Sequence, residues 1–293
     1  MISKTLFFTL ALSTALGSGS AYAAAAGELT LLSGRATAAM PNGTIRSLNK
    51  GDPVFAREFI STESNSFANI KFADGGAVLI KPNSRFHIEQ FAYNQLAQKE
   101  KTASGATAAP AASAAAAPSR AFFRLLKGGF RAVSGLIGKA DRAEYRISTP
   151  IATIGIRGTD YTAVLCDAVC ASDPVIKESA GITTDPQDGL VASVTAGGIG
   201  VTPKSAQSMS SLRTYRAIAQ ALGLQPTAGW VKTATRSPCL KTEADCTPQT
   251  FIVDKGQTYF FSKTPGQLPV KLPGMTQGID SGLKNYSPEQ ICK

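Results

Sequence analysis

Few side chains in this sequence could carry chemistry, and their surroundings limit which chemistry that is. His87 is the single histidine among 293 residues and lies in the segment "RFHIE". Nucleophilic catalysis of the Ser–His–acid kind needs a histidine that a third group orients. No nucleophile motif flanks this one, and alternation with Phe86 and Ile88 predicts a strand that places His87 on its solvent side.

Three carboxylates could serve the other common hydrolytic chemistry, a pair of acids acting on a glycosidic bond. Asp52, Asp74 and Asp160 all stand in turn-like segments, where Asp hydrogen-bonds its own backbone. The turn role is favoured for each, with a carbohydrate-active enzyme using paired carboxylates as the alternative function. "TAGGIG" from Thr195 lacks the spacing of a nucleotide loop. We therefore predict a non-enzymatic protein without catalytic residues or a cofactor.

The five cysteines suit an oxidising compartment. Cys166 and Cys170 are four residues apart, Cys239 and Cys246 are seven apart, and Cys292 is left over near the C-terminus. Local pairing within each couple would close a small loop, although the sequence alone permits other connectivities. Metal binding is disfavoured because the spacings are not those of zinc sites. We predict disulfides within the two couples and no metal site.

The first residues have the layout of a secretory signal peptide. Lys4 gives a basic start, "TLFFTLALSTALG" is an apolar run too short to span a bilayer, and "SGSAYA" offers small residues for cleavage. Cleavage of residues 1–23 would leave Ala24 as the N-terminus, and the rival interpretation is an uncleaved anchor. We expect a protein of the periplasm, or one secreted, with no transmembrane segment after cleavage.

The charge of the chain is one-sided. The net charge is +10, and because Lys4 is the only charged residue before Ala24, cleavage would leave +9. Such a surplus favours anionic partners. With an exported protein, these are an envelope protein or an anionic glycan rather than nucleic acid.

Cations concentrate in one stretch after residue 119, where aromatic residues alternate with them. The cations are Arg120, Arg124, Lys127, Arg131, Lys139, Arg142 and Arg146, interleaved with Phe122, Phe123, Phe130 and Tyr145. This mixture could form a face for an anionic partner. Simple strand alternation, with aromatics in the core and cations in water, explains the same pattern and is favoured.

Short apolar units broken by Gly, Pro and Asp predict an all-β fold. "SLNKGDPVF" near Ser47 has an echo in "FIVDKGQTYF" near Phe251, and "LTLLSGRATAA" has echoes from Phe123 and from Val191. Repeated strands with small turns indicate a short β-solenoid, with a β-sandwich as the alternative.

Two segments interrupt the strand pattern. Residues 102–119, "TASGATAAPAASAAAAPS", carry no large apolar side chain and predict a flexible loop. The strands on either side of it, "RFHIEQFAY" and "RAFFRLL", would then pair as a hairpin. Residues 208–222 have helical spacing and end at Gly223. We place this helix in an irregular C-terminal extension over residues 206–293.

The order of several Gly-rich turn segments resembles the FecR domain. These segments are Gly51-Asp52, Asp74-Gly75, Lys127-Gly128-Gly129, Thr149-Pro150 and Arg157-Gly158-Thr159-Asp160. The resemblance covers residues 27–165 and implies a binding or signal-relay domain, which we extend over residues 27–205. The family takes its name from a regulator of iron-citrate uptake that has a cytoplasmic anti-sigma segment and one membrane span. A signal peptide stands in that place here, so the iron-related role does not carry over.

The last of these segments, "IRGTDY", predicts a structural turn. We expect Gly158 to adopt a backbone conformation that a side chain would strain, and Thr159 or Asp160 to cap the turn. Arg157 would bond carbonyls or a carboxylate nearby. The competing interpretation makes Arg157 a cation that binds a ligand.

Overall fold

The chain folds mainly into β-strands, and the all-β prediction is confirmed. The computed structural model describes residues 24–94, 118–179, 189–204, 250–264 and 267–274, together with Ile182 and Gln187. In these residues three short α-helices accompany the strands, α1 (Leu136–Ala140), α2 (Ala168–Ser172) and α3 (Pro174–Glu178), and a 3-10 turn spans Arg142–Glu144. None of the helices in the described residues is long and apolar enough to cross a membrane.

Most of the described strands are short, and two strands in the second half of the chain are much longer. The strands are numbered in chain order. They are β1 (Ala25–Ser33), β2 (Ala36–Ala39), β3 (Ile45–Ser47), β4 (Pro53–Phe55), β5 (Phe59–Thr62), β6 (Phe67–Phe72), β7 (Ala77–Ile80), β8 (Arg85–Ala92), β9 (Arg120–Lys127), β10 (Gly129–Val133), β11 (Tyr145–Ser148), β12 (Ala152–Leu165), β13 (Gly189–Pro203), β14 (Phe251–Asp254), β15 (Thr258–Ser262) and β16 (Val270–Leu272).

These strands join one hydrogen-bonded sheet that curls into a half-barrel. The order is β3-β2-β5-β8-β9-β11-β12-β10-β7-β6-β1-β4, and β13 adds β14, β15 and β16 beyond β12. Every described ladder is antiparallel except that between β9 and β11. The single curled sheet differs in this respect from the parallel rungs of a solenoid and from the two facing sheets of a sandwich.

The strands at the two ends of this order, β3 and β4, are linked through side chains. Arg46 on β3 donates to the carbonyl of Pro53 at 2.6 Å and forms an ion pair with Glu58 at 3.0 Å. Glu58 is 1% exposed and also accepts the amide of Phe55 at 2.9 Å. These contacts therefore link β3 to β4, which share no backbone ladder among the described residues.

Aromatic side chains fill the concave side of the sheet. Phe86 packs against Phe123 and Phe130 with ring centroids 5.4 and 5.7 Å apart, and all three rings are buried. Behind them, the hydroxyl oxygens of Tyr145 and Tyr161 lie 3.2 Å apart in a fully buried pair. This core holds the strands of the outer face in fixed positions.

Two glycine corners bend strands in the same way. Gly34 and Gly128 have φ of +78° and +75°, and a Cβ on either would lie within 2.3 Å of a serine Oγ, that of Ser66 or Ser84. That hydroxyl accepts the amide of the residue after the glycine, at 2.9 Å in both corners. Only glycine fits such an approach, since both the backbone angle and the space exclude a side chain.

The sequence echo between residues 47–55 and 251–260 corresponds to two matching turns. In Asn49–Asp52 and in Asp254–Gln257, the last side chain accepts the first amide, at 2.7 and 3.0 Å. The glycines Gly51 and Gly256 have positive φ, and each donates its amide to a neighbouring strand carbonyl at 2.8 Å. The strands around them are ordered alike, as β4-β1-β6-β7 and as β15-β13-β12-β10. The repeated segments thus mark two similar halves of the sheet.

The predicted hairpin on either side of the Ala/Pro-rich segment is confirmed, because β8 pairs with β9 from Arg85 opposite Lys127 to Ala92 opposite Arg120. The segment itself lies almost entirely outside the described residues. The same holds for residues 1–23 and for the helix predicted over 208–222.

A second, smaller apolar cluster covers the other side of the sheet at β12, β13 and β15. It contains the disulfide between Cys166 and Cys170, which confirms one predicted couple. Ile176 of α3 and Phe260 of β15 pack in the same cluster and are fully buried. Cys239, Cys246 and Cys292 lie outside the described residues, so the second couple stays a prediction.

Candidate binding face

The Asp74-Gly75 segment forms the tight turn between β6 and β7 and anchors a helix. Gly75 has φ of +80°. The Asp74 carboxylate accepts the amides of Gly76 at 3.0 Å and of Ile137 at 3.3 Å, and its carbonyl accepts that of Leu136 at 2.9 Å. Burial raises the pKa of Asp74, which is 3% exposed. This carboxylate therefore fixes the start of α1 on a turn 63 residues away.

The Thr149-Pro150 segment is a turn that a buried hydroxyl stabilises. Thr149 is 1% exposed, and its Oγ1 accepts the amides of Ile151 and Ala152 at 3.2 and 2.9 Å. Pro150 is exposed at the tip. The turn connects β11 to β12 and so positions the outer face of β11.

The "IRGTDY" segment corrects one expectation, because it is a bulge within β12 and not a turn. The register of β12 on β13 shifts between Ile156 and Thr159, and Gly158 there has φ of +77°. Asp160 does not cap this backbone. Its carboxylate pairs bidentately with the guanidinium of Arg131 on β10, with Nε at 2.8 Å from Oδ1. The side chains of Arg157 and Thr159 lie outside the described part of the chain.

Because Asp160 binds its guanidinium, Arg131 is not part of the face predicted to bind an anionic partner. Arg131 is 9% exposed and lies between β7 and β12. Lys127 is exposed at the end of β9, while Lys139 and Arg142 are exposed on the helical connection between β10 and β11. These three cations lie outside the sheet face that carries the rest.

The structure brings Arg120, Arg124 and Arg146 together on the convex side of β9 and β11. These strands are parallel neighbours, with Arg146 opposite Phe122. The Arg146 guanidinium lies over the Phe122 ring at 4.1 Å, and that of Arg120 lies 5.8 Å from the same ring. Alternation explains the placement, since Ala121, Phe123 and Leu125 point into the core.

A lysine distant in sequence completes this group. Lys204, the residue directly after β13, donates its Nζ to the Ser148 hydroxyl at 3.3 Å and to the Thr149 carbonyl. Burial, together with the charge of Arg124, lowers the pKa of Lys204. We call the surface formed by Arg120, Phe122, Arg124, Arg146 and Lys204 the basic face. Sequence reasoning missed Lys204 because no local pattern indicates that β13 pairs beside β12.

Carboxylates neutralise part of the basic face. Arg124 is ion-paired with Glu89 on β8, and Arg120 lies 3.7 Å from Glu144. Arg146 is exposed, and within the described ranges no carboxylate lies within ion-pair distance of it. Stacking on Phe122 thus holds a guanidinium whose charge remains available to a ligand.

Aromatic rings extend the same surface across β8 and β5. The His87 ring stacks on Phe59 with centroids 3.9 Å apart, and the Arg85 guanidinium lies 5.0 Å from that ring. His87 is half-buried, burial lowers its pKa, and its Nε2 has no hydrogen-bond partner in the part of the chain that the structure describes. His87 pairs directly with Arg124 in the ladder, so this ring lies beside the basic face.

The three carboxylates considered for hydrolysis each have structural partners. Asp52 accepts the amide of Asn49, Asp74 holds α1, and Asp160 binds Arg131. No group of three or more His, Cys, Asp or Glu residues that could hold a metal occurs in the described ranges.

Residues 58–177 match the family model of the FecR protein. The chain therefore contains a FecR domain over this range. A solved cell surface anchoring domain is 37% identical over 21% of this chain and 82% of its own length, with a TM-score of 0.21. A candidate anti-sigma factor from Parabacteroides distasonis ATCC 8503 is 10% identical over 77% of this chain and 64% of its own length, with a TM-score of 0.39. No curated protein matches the chain significantly.

The sheet of the FecR domain continues beyond both ends of the matched range. Strands β1 to β4 precede residue 58, and β13 follows residue 177, yet both groups hydrogen-bond to strands inside it. Arg120, Arg124 and Arg146 lie within the matched range and Lys204 lies after it. The basic face therefore depends on strands from inside and outside that range.

Proposed function

We propose that this FecR-domain protein is a non-enzymatic binding and signal-relay module of the bacterial cell envelope. Its basic face would contact an anionic envelope partner, either a protein or a glycan. The observation that carries the proposal is Arg146, an exposed guanidinium that is held by a ring and has no carboxylate partner among the described residues. The FecR-domain match supports the signal-relay role, and the net charge of +10 supports binding of an anionic partner.

Location outside the cytoplasm is part of the proposal. It is supported by the signal-peptide layout of residues 1–23 and by a disulfide, which persists in oxidising compartments. Intact-mass measurement of the exported protein should give an N-terminus at Ala24 or an adjacent alanine. A form that retains Met1 would contradict the export step.

Envelope retention tests the binding role directly. The purified protein is incubated with the envelope fraction of the native cell, and the retained fraction is measured as salt is raised. We expect Arg124→Ala with Arg146→Ala to lose most retention, because exposed cations supply the salt-dependent attraction. Lys127→Ala, an exposed cation on the same strand outside the face, serves as the matched control.

Equal retention of the double variant and the wild-type protein would contradict a role for the basic face. Near-equal loss in the double variant and in the control would also contradict it, because binding would then follow net charge and not this surface. Circular dichroism and the thermal transition check that each variant is folded.

A further inference from the structure

The basic face carries a more specific assignment, which rests on the proposed function. We propose that its ligand is an acidic polysaccharide bearing carboxylates, and that Arg146 binds one of these carboxylates through its two parallel N–H donors. Arg146, Phe122 and Gly155 form the centre of this site. Arg120, Arg124 and Lys204 surround it.

The orientation of Arg146 suits a planar anion. Its Cζ lies over the Phe122 ring, 4.1 Å from the ring centroid, so the ring limits the positions of the guanidinium, whose N–H donors lie along its edge. Arginine binds carboxylates bidentately with such an edge, and a guanidinium that is already stacked loses less side-chain freedom on binding. The N–H donors of Arg146 are thus oriented before a ligand binds.

Space for the ligand lies beside the Arg146 guanidinium. Gly155 on β12 pairs directly with Arg146 on β11, and a Cβ built on Gly155 would meet no atom within 4 Å. The neighbouring strand therefore leaves an open strip next to the guanidinium. A side chain there would narrow the approach without disturbing the packing beneath it.

Charge density on the face favours carboxylates over phosphates. The cations Arg120, Arg124, Arg146 and Lys204 stand beside two carboxylates, Glu89 and Glu144, which leaves a local charge of +2. A chain of phosphates would bring its higher charge close to both glutamates. A polysaccharide with single charges spaced by sugar rings meets less repulsion.

Exposed ring surface favours a sugar over a bare polyanion. Phe122 is partly exposed in the centre of the face, and His87 with Phe59 presents a second partly exposed ring pair on the next two strands, β8 and β5. Rings of this kind bury the apolar side of a ligand while neighbouring cations hold its charges.

Binding to defined oligosaccharides tests the assignment. The probe is an oligogalacturonate, compared with its methyl ester and with inorganic polyphosphate of similar length, by titration calorimetry. We expect Arg146→Ala to weaken oligogalacturonate binding about 10- to 100-fold, the range for a lost charge-assisted pair. Arg146→Lys should recover only part of the affinity, because an ammonium is a point charge.

Gly155→Val provides a second variant that keeps every charge. Valine suits a strand, and the open space accepts it, so the thermal transition should hold while the affinity falls at least about fivefold. Lys127→Ala should bind as the wild-type protein does. Methyl-ester binding equal to that of the acid would overturn the assignment, and so would tighter binding of polyphosphate.

The two experiments distinguish a failure of the polysaccharide assignment from a failure of the proposed function. If no oligogalacturonate binds, but the Arg124→Ala, Arg146→Ala double variant still loses envelope retention, the carboxylate assignment fails and the envelope-binding role stands. If retention is also unchanged in that variant, both fail.

Discussion

Replacing Asp74 by alanine tests whether its carboxylate stabilises the turn between β6 and β7 and the start of α1. The carboxylate accepts amides from Gly76 and Ile137, and the carbonyl of Asp74 accepts a third from Leu136. Alanine keeps the carbonyl but leaves the first two amides in a buried site without acceptors. Gly135 also packs on this side chain, since a Cβ there would come within 2.2 Å of Oδ2.

The size of the effect follows from these contacts. An unsatisfied buried N–H costs about 1–3 kcal/mol, and two are created. Part of this is offset because a desolvated carboxylate is removed, as the raised pKa of Asp74 shows. We expect Asp74→Ala to lower the free energy of unfolding by about 2–4 kcal/mol, measured by urea denaturation.

Asp52→Ala is the matched control, because that carboxylate accepts one amide, of Asn49, in a half-exposed turn. Its cost should be about 1 kcal/mol. An Asp74→Ala change below about 0.5 kcal/mol, the scale of neutral surface substitutions, would refute this account of the turn.

The pH dependence gives an independent signature of Asp74. Its folded pKa is raised above the ordinary value of 3.8, so the folded protein holds the proton more tightly than the unfolded chain does. The contribution of Asp74 to stability therefore falls as pH rises from that value through the folded pKa. Asp74→Asn should remove this part of the slope, and an unchanged slope would contradict burial as the cause.

Three further predictions concern other features of the fold. Burial lowers the pKa of His87, so its contribution to stability should fall as pH drops below 6.5, and His87→Phe should flatten the urea-derived stability profile there; an unchanged profile would count against the desolvated ring. Gly128→Ala should cost more than Gly158→Ala, because both have positive φ but only Gly128 is crowded; equal midpoints in urea would show that crowding does not matter. Arg131→Ala should cost about 3–5 kcal/mol by leaving Asp160 mostly buried without its partner, and Asp160→Asn in that background should recover part of the loss if this charge is the cause.

Local patterns predicted the elements of this fold better than their arrangement. Alternation located β8 and β9, and their hairpin followed from the low-complexity segment between them. The echo of "SLNKGDPVF" in "FIVDKGQTYF" correctly indicated equivalent turns. It did not indicate antiparallel ladders in a single curled sheet, because a repeat fixes local geometry while strand order depends on contacts distant in sequence.

For the basic face, too, local patterns predicted the residues better than their arrangement. Arg120, Arg124 and Arg146 were found from composition and alternation, which also predicted that they face water. Arg131 shares their pattern, yet its strand lies between β7 and β12, where Asp160 pairs with it. Lys204 has no local pattern and joins the face only through the β12–β13 ladder.

The same ladders explain how an exposed sheet face could be selective. Strands β8, β9 and β11 are each paired on both sides, so the cations they carry are separated by multiples of the strand spacing, about 4.8 Å. The buried rings of Phe86, Phe123 and Tyr145 fix these strands from behind. A ligand therefore meets charges at set intervals and spends little free energy on ordering the protein. Selectivity then depends on whether the spacing of its own charges matches, which a flexible basic tail of equal charge could not impose.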